Sequence, residues 1–145
     1  MVTELAAICL YLADAFPDAG LAPPIGDPER GSYLRWLLFV PGCVSPAIVD
    51  RRLERPPGPP PLLSSGDFDT LIEVMAQTLS PGPHLLGDQF SAADVMMGSA
   101  IRWSLLAKLL PERPELLAYA ARLNERRALQ RISAKEAALL ARHAR

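Results

Sequence analysis

No segment of this chain alternates polar and apolar residues with period two, and no cluster of Val, Ile and Thr stands between turn residues. The sequence therefore has nothing from which to build a sheet. It has two cysteines, Cys9 and Cys43, too far apart for a C-x-x-C pair, which disfavours a disulfide framework and a zinc knuckle alike. The start, Met1-Val2-Thr3-Glu4, carries an acid where a secretory leader needs positive charge. No run reaches 18 uncharged apolar residues, so no spanning helix is expected. The most apolar stretch, Phe90 to Leu110, carries Asp94, Arg102 and Lys108 and reads as a buried helix, with the cytoplasm as the expected location. G-x-S-x-G, H-E-x-x-H, the P-loop and G-x-G-x-x-G are all missing, so no catalytic residue and no metal site is assigned. The net charge of −1 carries no footprint for nucleic acid or for a membrane.

What is there is a chain of 145 residues, half of them apolar, enough for one core without staples. Proline is abundant at 15 residues, five of them within Pro56 to Pro61, which reads as a stiff polyproline connector between helices. Charge is uneven. Residues 1–111 hold 7 basic and 12 acidic side chains, and residues 112–145 hold 8 basic and 4 acidic. Solvated helix faces near the C-terminus account for this; a surface for an acidic partner is the sharper alternative.

Helical periodicity runs throughout. Leu5, Ile8, Cys9, Leu12 and Phe16 draw one apolar stripe over 3–16, with Thr3 as cap and Pro17 as stop. Pro- and Gly-rich residues 17–28 form a linker, and Asp27-Pro28 suits the start of a helix from about Glu29 toward Glu54 that Pro41 and Pro46 should bend or break. Further helices are expected over Ser65–Leu79, Ser91–Leu110, Glu112–Arg126 and Ala128–Ala141, the last packing through Leu129, Ile132, Ala137 and Leu140. His84 reads as a surface residue of the turn 84–89. Ser91 and Asp94 form a capping box, flanked by Phe90 and Val95 as a hydrophobic staple. Gly98 and Ser99 invite close approach by a neighbour. The expected fold is all-α, a bundle of five to six helices.

The crowded aromatics Tyr33, Trp36 and Phe39 serve either as core or as the wall of an apolar pocket. Cys43 is a small hydrophobe unless its local geometry activates the thiol.

Two stretches carry a family resemblance. Thr3-Glu4-Leu5-Ala6-Ala7-Ile8 resembles the T-E-S-x-A-I helix that closes the thioredoxin-like half of glutathione S-transferases, and Gly87-Asp88-Gln89-Phe90-Ser91-Ala92-Ala93-Asp94 resembles the capping motif of their all-helical half. Tyr33-Leu34-Arg35-Trp36, Arg113-Pro114 and Arg127-Ala128-Leu129 are similar to the bacterial members as well. The resemblance implies that 1–16 is the last helix of a thioredoxin-like domain, 17–28 a linker and 29–145 the helical domain. It also implies that roughly 70–80 residues of the complete fold, with the thiol-activating side chain and the cis-proline, are missing before Met1. The implied activity of the complete form is glutathione conjugation or thiol transfer to an electrophilic small molecule, with glutathione as co-substrate and no resident cofactor, and the 145 residues alone are expected to be inactive. Glu4 matches the acid that grips glutathione, whereas Leu5 stands where the family has Ser. The same analogy offers Tyr33, Trp36, Phe39, Cys43 and Trp103 as the co-substrate pocket and implies a homodimer or self-association. The alternative function is a non-catalytic helical binding or dimerisation module.

Overall fold

The computed structural model describes residues 1–56, 58–59, 62–63 and 66–143. Its helices are α1 (Leu5–Ala15), α2 (Arg30–Phe39), α3 (Ser45–Arg52), α4 (Phe68–Leu79), α5 (Ala92–Leu106), α6 (Pro114–Asn124) and α7 (Arg127–His143). A five-residue π turn, Val40–Val44, joins α2 to α3, so the seven segments form six rods. Among the described residues there is no strand; His84–Gly87 and Leu86–Gln89 make isolated bridges in the turn before α5. The all-α bundle agrees with the expected class. Part of the polyproline connector (57, 60 and 61) and the Ser65 helix start lie outside the described residues.

The prolines do not break the second rod. Ser45 N–H reaches back five residues to the Val40 carbonyl, and this wider ring accommodates Pro41, which has no N–H and would clash inside a regular turn. The resulting rod, Arg30–Arg52, has 23 residues and is long and apolar enough to cross a membrane by length and composition. Here its inner side (Tyr33, Trp36, Leu37, Val40, Val44, Ala47, Ile48) is core. Asp27 caps one turn early: its Oδ1 accepts from the Glu29 N–H at 2.8 Å, and the α-helix itself begins at Arg30.

The rod α5 is the centre of the bundle, touching α1, α2, the π turn and α6. Gly98 makes the last contact possible: a Cβ there would lie 2.0 Å from Leu123 Cδ1. The helix ends at Leu106, four residues before the expected Leu110. Lys108 turns left-handed (φ 57), and the Leu109 and Lys108 N–H groups close a Schellman motif on the Ser104 and Leu105 carbonyls at 2.8 and 3.0 Å. The inward face of α6 consists of Leu116, Tyr119, Ala120 and Leu123, all buried.

Two expected faces are reversed or unpartnered. On α1 the small residues Ala6 and Ala13 are buried, while Leu5, Leu12 and Phe16 lie in water. Close approach to α5 and α2 selects alanine for the contact, which leaves Ile8 and Cys9 of the expected stripe half-buried and turns Leu5, Leu12 and Phe16 outward. The α1 cap position is Glu4, not Thr3, and no side chain caps the first turn. On α7 no residue is buried; Leu129 packs partly against the core, but Ile132, Ala137 and Leu140 are exposed.

Candidate functional site

The expected site residues fall at the start of α1 and among the aromatics of α2 with Trp103, and a cavity borders the junction of α5, α6 and α7.

Glu4 and Leu5 sit exposed at the N-terminus of α1, where first-turn N–H groups lack intrahelical partners and favour an anion. Glu4 adopts φ 67, ψ 122, an unusual backbone state for a residue with a Cβ. The other end of α1 is fastened to α2. Arg30 grips Asp14 with two parallel bonds of 2.9 and 2.8 Å and also donates to the Pro23 carbonyl at 2.8 Å. That hydrogen-bonded partner raises the Arg30 pKa. The anchoring matters because it fixes the direction in which Glu4 and Leu5 are presented.

The five expected pocket residues do not share a wall. Tyr33 and Trp36 are sealed in the core, at 0% and 5% exposure. Burial pushes the Tyr33 hydroxyl up to about 12, against the lowering effect of nearby Arg30, and the hydroxyl has no hydrogen-bond partner. Phe39 is half-buried, its ring edge-on to Trp36 at 5.3 Å, and Cys43 is half-buried in the π turn. Trp103 is 60% exposed on α5. None of the five lines either of the two cavities described below.

The capping box is formed, and Asp94 does more than cap. Its carboxylate is fully buried. Oδ2 accepts from the Ser91 N–H at 2.8 Å and the Ser91 hydroxyl at 3.0 Å. Oδ1 accepts from the Leu85 N–H at 2.9 Å and the Tyr119 hydroxyl at 2.8 Å. One side chain thus ties the start of α5 to the preceding turn and to α6. Burial, together with the Asp94 charge, holds the Tyr119 phenol protonated far above its ordinary range. His84, expected at the surface, is drawn into this junction: its Nδ1 is buried 3.9 Å from Asp94 Oδ1, and its ring meets Phe90 edge-on at 5.4 Å. Phe90 is in turn covered by the Arg126 guanidinium, 3.3 Å from the ring centroid.

Beside this junction is a groove of about 380 Å³ lined by Leu21, Phe90, Val95, Leu123, Leu129 and Ile132, with Arg102 and Arg126 among its lining residues. A second hollow, of about 420 Å³, lies between the end of α3 and the start of α4 around Arg51 and Phe68. Among the described residues no three His, Cys, Asp or Glu side chains converge on a point.

Residues 46–122 match the family profile described as the glutathione S-transferase C-terminal domain. The chain belongs to the glutathione S-transferase family. It is 26% identical over 133 residues to glutathione S-transferase GstA of Escherichia coli O157:H7, covering 90% of this chain and 65% of that protein. Among solved structures it resembles BphK, a bacterial glutathione S-transferase, with a TM-score of 0.73 and 29% identity over 89% of this chain and 65% of that one. A sphingomonad glutathione S-transferase complexed with glutathione is similar to the same extent, with a TM-score of 0.70, 28% identity and the same coverage. The chain therefore spans just under two thirds of the length of these relatives. Its helical body is that of the glutathione S-transferase helical domain.

Proposed function

We propose that this chain is the helical part of a glutathione transferase, acting with a thioredoxin-like half supplied either earlier in a longer chain or by a separate one. In that reaction the glutathione thiolate attacks an electrophilic carbon, a carbon–sulfur bond forms, and the leaving group departs with the electron pair of the bond it breaks. The thioredoxin-like half stabilises the thiolate. The present residues contribute the start of α1, where Glu4 and the free N–H groups face the γ-glutamyl end of glutathione, and separate contacts for the electrophile. Of the five expected pocket residues Phe39, Cys43 and Trp103 keep surface for such contacts, whereas Tyr33 and Trp36 are core. By this reading the 145 residues alone do not conjugate, need no resident cofactor, and work in the cytoplasm.

The observation that carries the reading is the posture of α1. It is fastened to the helical body by Ala6, Ala13 and the Arg30–Asp14 clamp, yet it leaves Leu5, Leu12 and Phe16 in water. Such an outward face fits a helix shared with a further unit. Calorimetric titration with glutathione tests it. The wild-type chain should bind weakly, and Leu5→Ser, which returns a hydroxyl to the helix start, should strengthen binding several-fold. A Leu5→Ser chain that binds no better, or a Glu4→Gln chain that binds no worse, removes the α1 site.

The same exposed face favours a second reading, a non-catalytic module that docks a protein or a second copy through α1. Self-association that disappears in a Leu12→Gln/Phe16→Ser variant would support it; a monomer at high concentration would dismiss it.

A further inference from the structure

The last helix is the barest rod of the fold and carries its least balanced charge. No residue of α7 is buried; Leu129 and Ser133 are half-covered, and the rest of the helix is exposed. Four basic side chains, Arg127, Arg131, Lys135 and Arg142, follow at steps of four, four and seven, which sets them in one stripe on the side away from Leu129 and Ser133. All four are exposed, and among the described residues none of them has an ion pair. Glu136, the single acid of α7, falls outside the stripe. The acidic surplus of residues 1–111 thus cancels this charge in the sum but not in space. A solvated helix face gains from acids placed four residues from bases; here Arg127, Arg131 and Lys135 are like charges at that spacing, which weakens the free helix. Beside the basic stripe runs an apolar one. Ile132 lies three residues before Lys135, and Leu139 four after it and three before Arg142; they are 47% and 50% exposed.

A polyanion such as a nucleic acid would answer the cations and leave Ile132 and Leu139 idle. A lipid surface answers both rows at once: cations meet headgroup phosphates while the adjacent apolar row enters the headgroup–acyl boundary. We propose that α7 docks this protein on an anionic membrane surface, lying in its plane, with Arg127, Arg131, Lys135 and Arg142 at the lipid phosphates and Ile132 and Leu139 dipping beneath them. The helix lies on the membrane and does not span it. Small residues at Ala128, Ala134 and Ala138 keep the outer side of the helix low, so nothing bulky holds the cations off a flat surface. Each basic side chain near such a surface adds about fivefold to partitioning, and the contribution fades with salt. No residue of α1 takes part, so the inference stands or falls independently of glutathione binding.

The test is co-sedimentation of the chain with vesicles of phosphatidylglycerol and phosphatidylcholine in equal parts, and with vesicles of phosphatidylcholine alone. The chain should sediment with the first, stay in solution with the second, and be released from the first by added salt. Arg131→Gln/Lys135→Gln should weaken partitioning about 25-fold. Leu139→Gln should weaken it several-fold, and both variants should keep the helical circular-dichroism spectrum because the altered positions are exposed. Arg52→Gln/Arg55→Gln, which removes the same charge from the exposed end of α3, should leave partitioning unchanged. The proposal is overturned if the chain binds neither vesicle or both equally, if the α7 double variant keeps its affinity, if Leu139→Gln has no effect, or if a short DNA duplex or polyglutamate binds more tightly than the anionic vesicles at the same salt.

Discussion

Replacing Asp94 by alanine should be among the most damaging single changes in the chain. The substitution strands four donors in the interior: the Leu85 N–H, the Ser91 N–H and hydroxyl, and the Tyr119 hydroxyl, each now 2.8–3.0 Å from a carboxylate oxygen. Leaving a buried donor unsatisfied costs about 1–3 kcal/mol, and the helix cap is lost as well. Part of this is offset because the carboxylate no longer has to be desolvated, which leaves a net loss of about 4 kcal/mol. Against a usual total of about 5–15 kcal/mol, that is a large fraction of the stability. With a urea slope of about 2 kcal/mol/M the unfolding midpoint should fall by about 2 M. Tyr119→Phe removes one bond and leaves the Leu85 N–H on Oδ1, so it should cost about 1.5–2 kcal/mol. The double variant should lose at least about 1 kcal/mol less than the sum, because no Tyr119 hydroxyl is then orphaned. Urea unfolding followed by far-UV circular dichroism measures all three. A loss below about 1 kcal/mol for Asp94→Ala, or strict additivity with Tyr119→Phe, would refute the hub.

Lys108→Gly relieves a left-handed residue (φ 57) at the end of α5 and should stabilise by about 0.5–1 kcal/mol in the same assay, net of the unfolded-chain entropy glycine adds. Tyr33 and Tyr119 both hold their protons more tightly when folded, Tyr33 up to about 12 and Tyr119 beyond it. Their contribution is therefore complete below about pH 10, where the unfolded phenols begin to ionise, and is lost as pH rises. An ultraviolet phenolate titration should show these two tyrosines ionising together with the loss of helix; ionisation in a chain still helical would contradict their burial. Asp67, held low by hydrogen bonds from the Thr70 side chain and N–H, should lose its capping effect on α4 only in acid, as pH falls through its lowered pKa. Asp67→Asn should therefore flatten the acid limb of the unfolding curve.

The helices and the central place of α5 were legible because they rest on local chemistry: the Ser91–Asp94 box, the periodic Leu71, Ile72, Met75 and Leu79 of α4, and the glycine at 98. The orientation of α1 was not. Periodicity marks the larger apolar stripe, whereas the contact with α5 is made by alanines, and a stripe facing water looks the same in sequence as one facing a core. The reach of Asp94 was also hidden, since the cap alone accounts for its place, and its bond to Tyr119 spans 25 positions. The lone Tyr119 between apolar neighbours on the inward face of α6 was the available sign. The groove escaped notice because its walls come from the linker, α5, α6 and α7 at once. The sealing of Tyr33 and Trp36 depends on how α2 rolls against α5, which spacing leaves open.

The most direct measurement is conjugation of glutathione to a chlorinated nitrobenzene, made with the 145 residues alone and again with a bacterial thioredoxin-like half joined before Met1. The account predicts no rate above the uncatalysed blank for the first and turnover for the second, reduced by Glu4→Gln. Turnover by the 145 residues alone would contradict it.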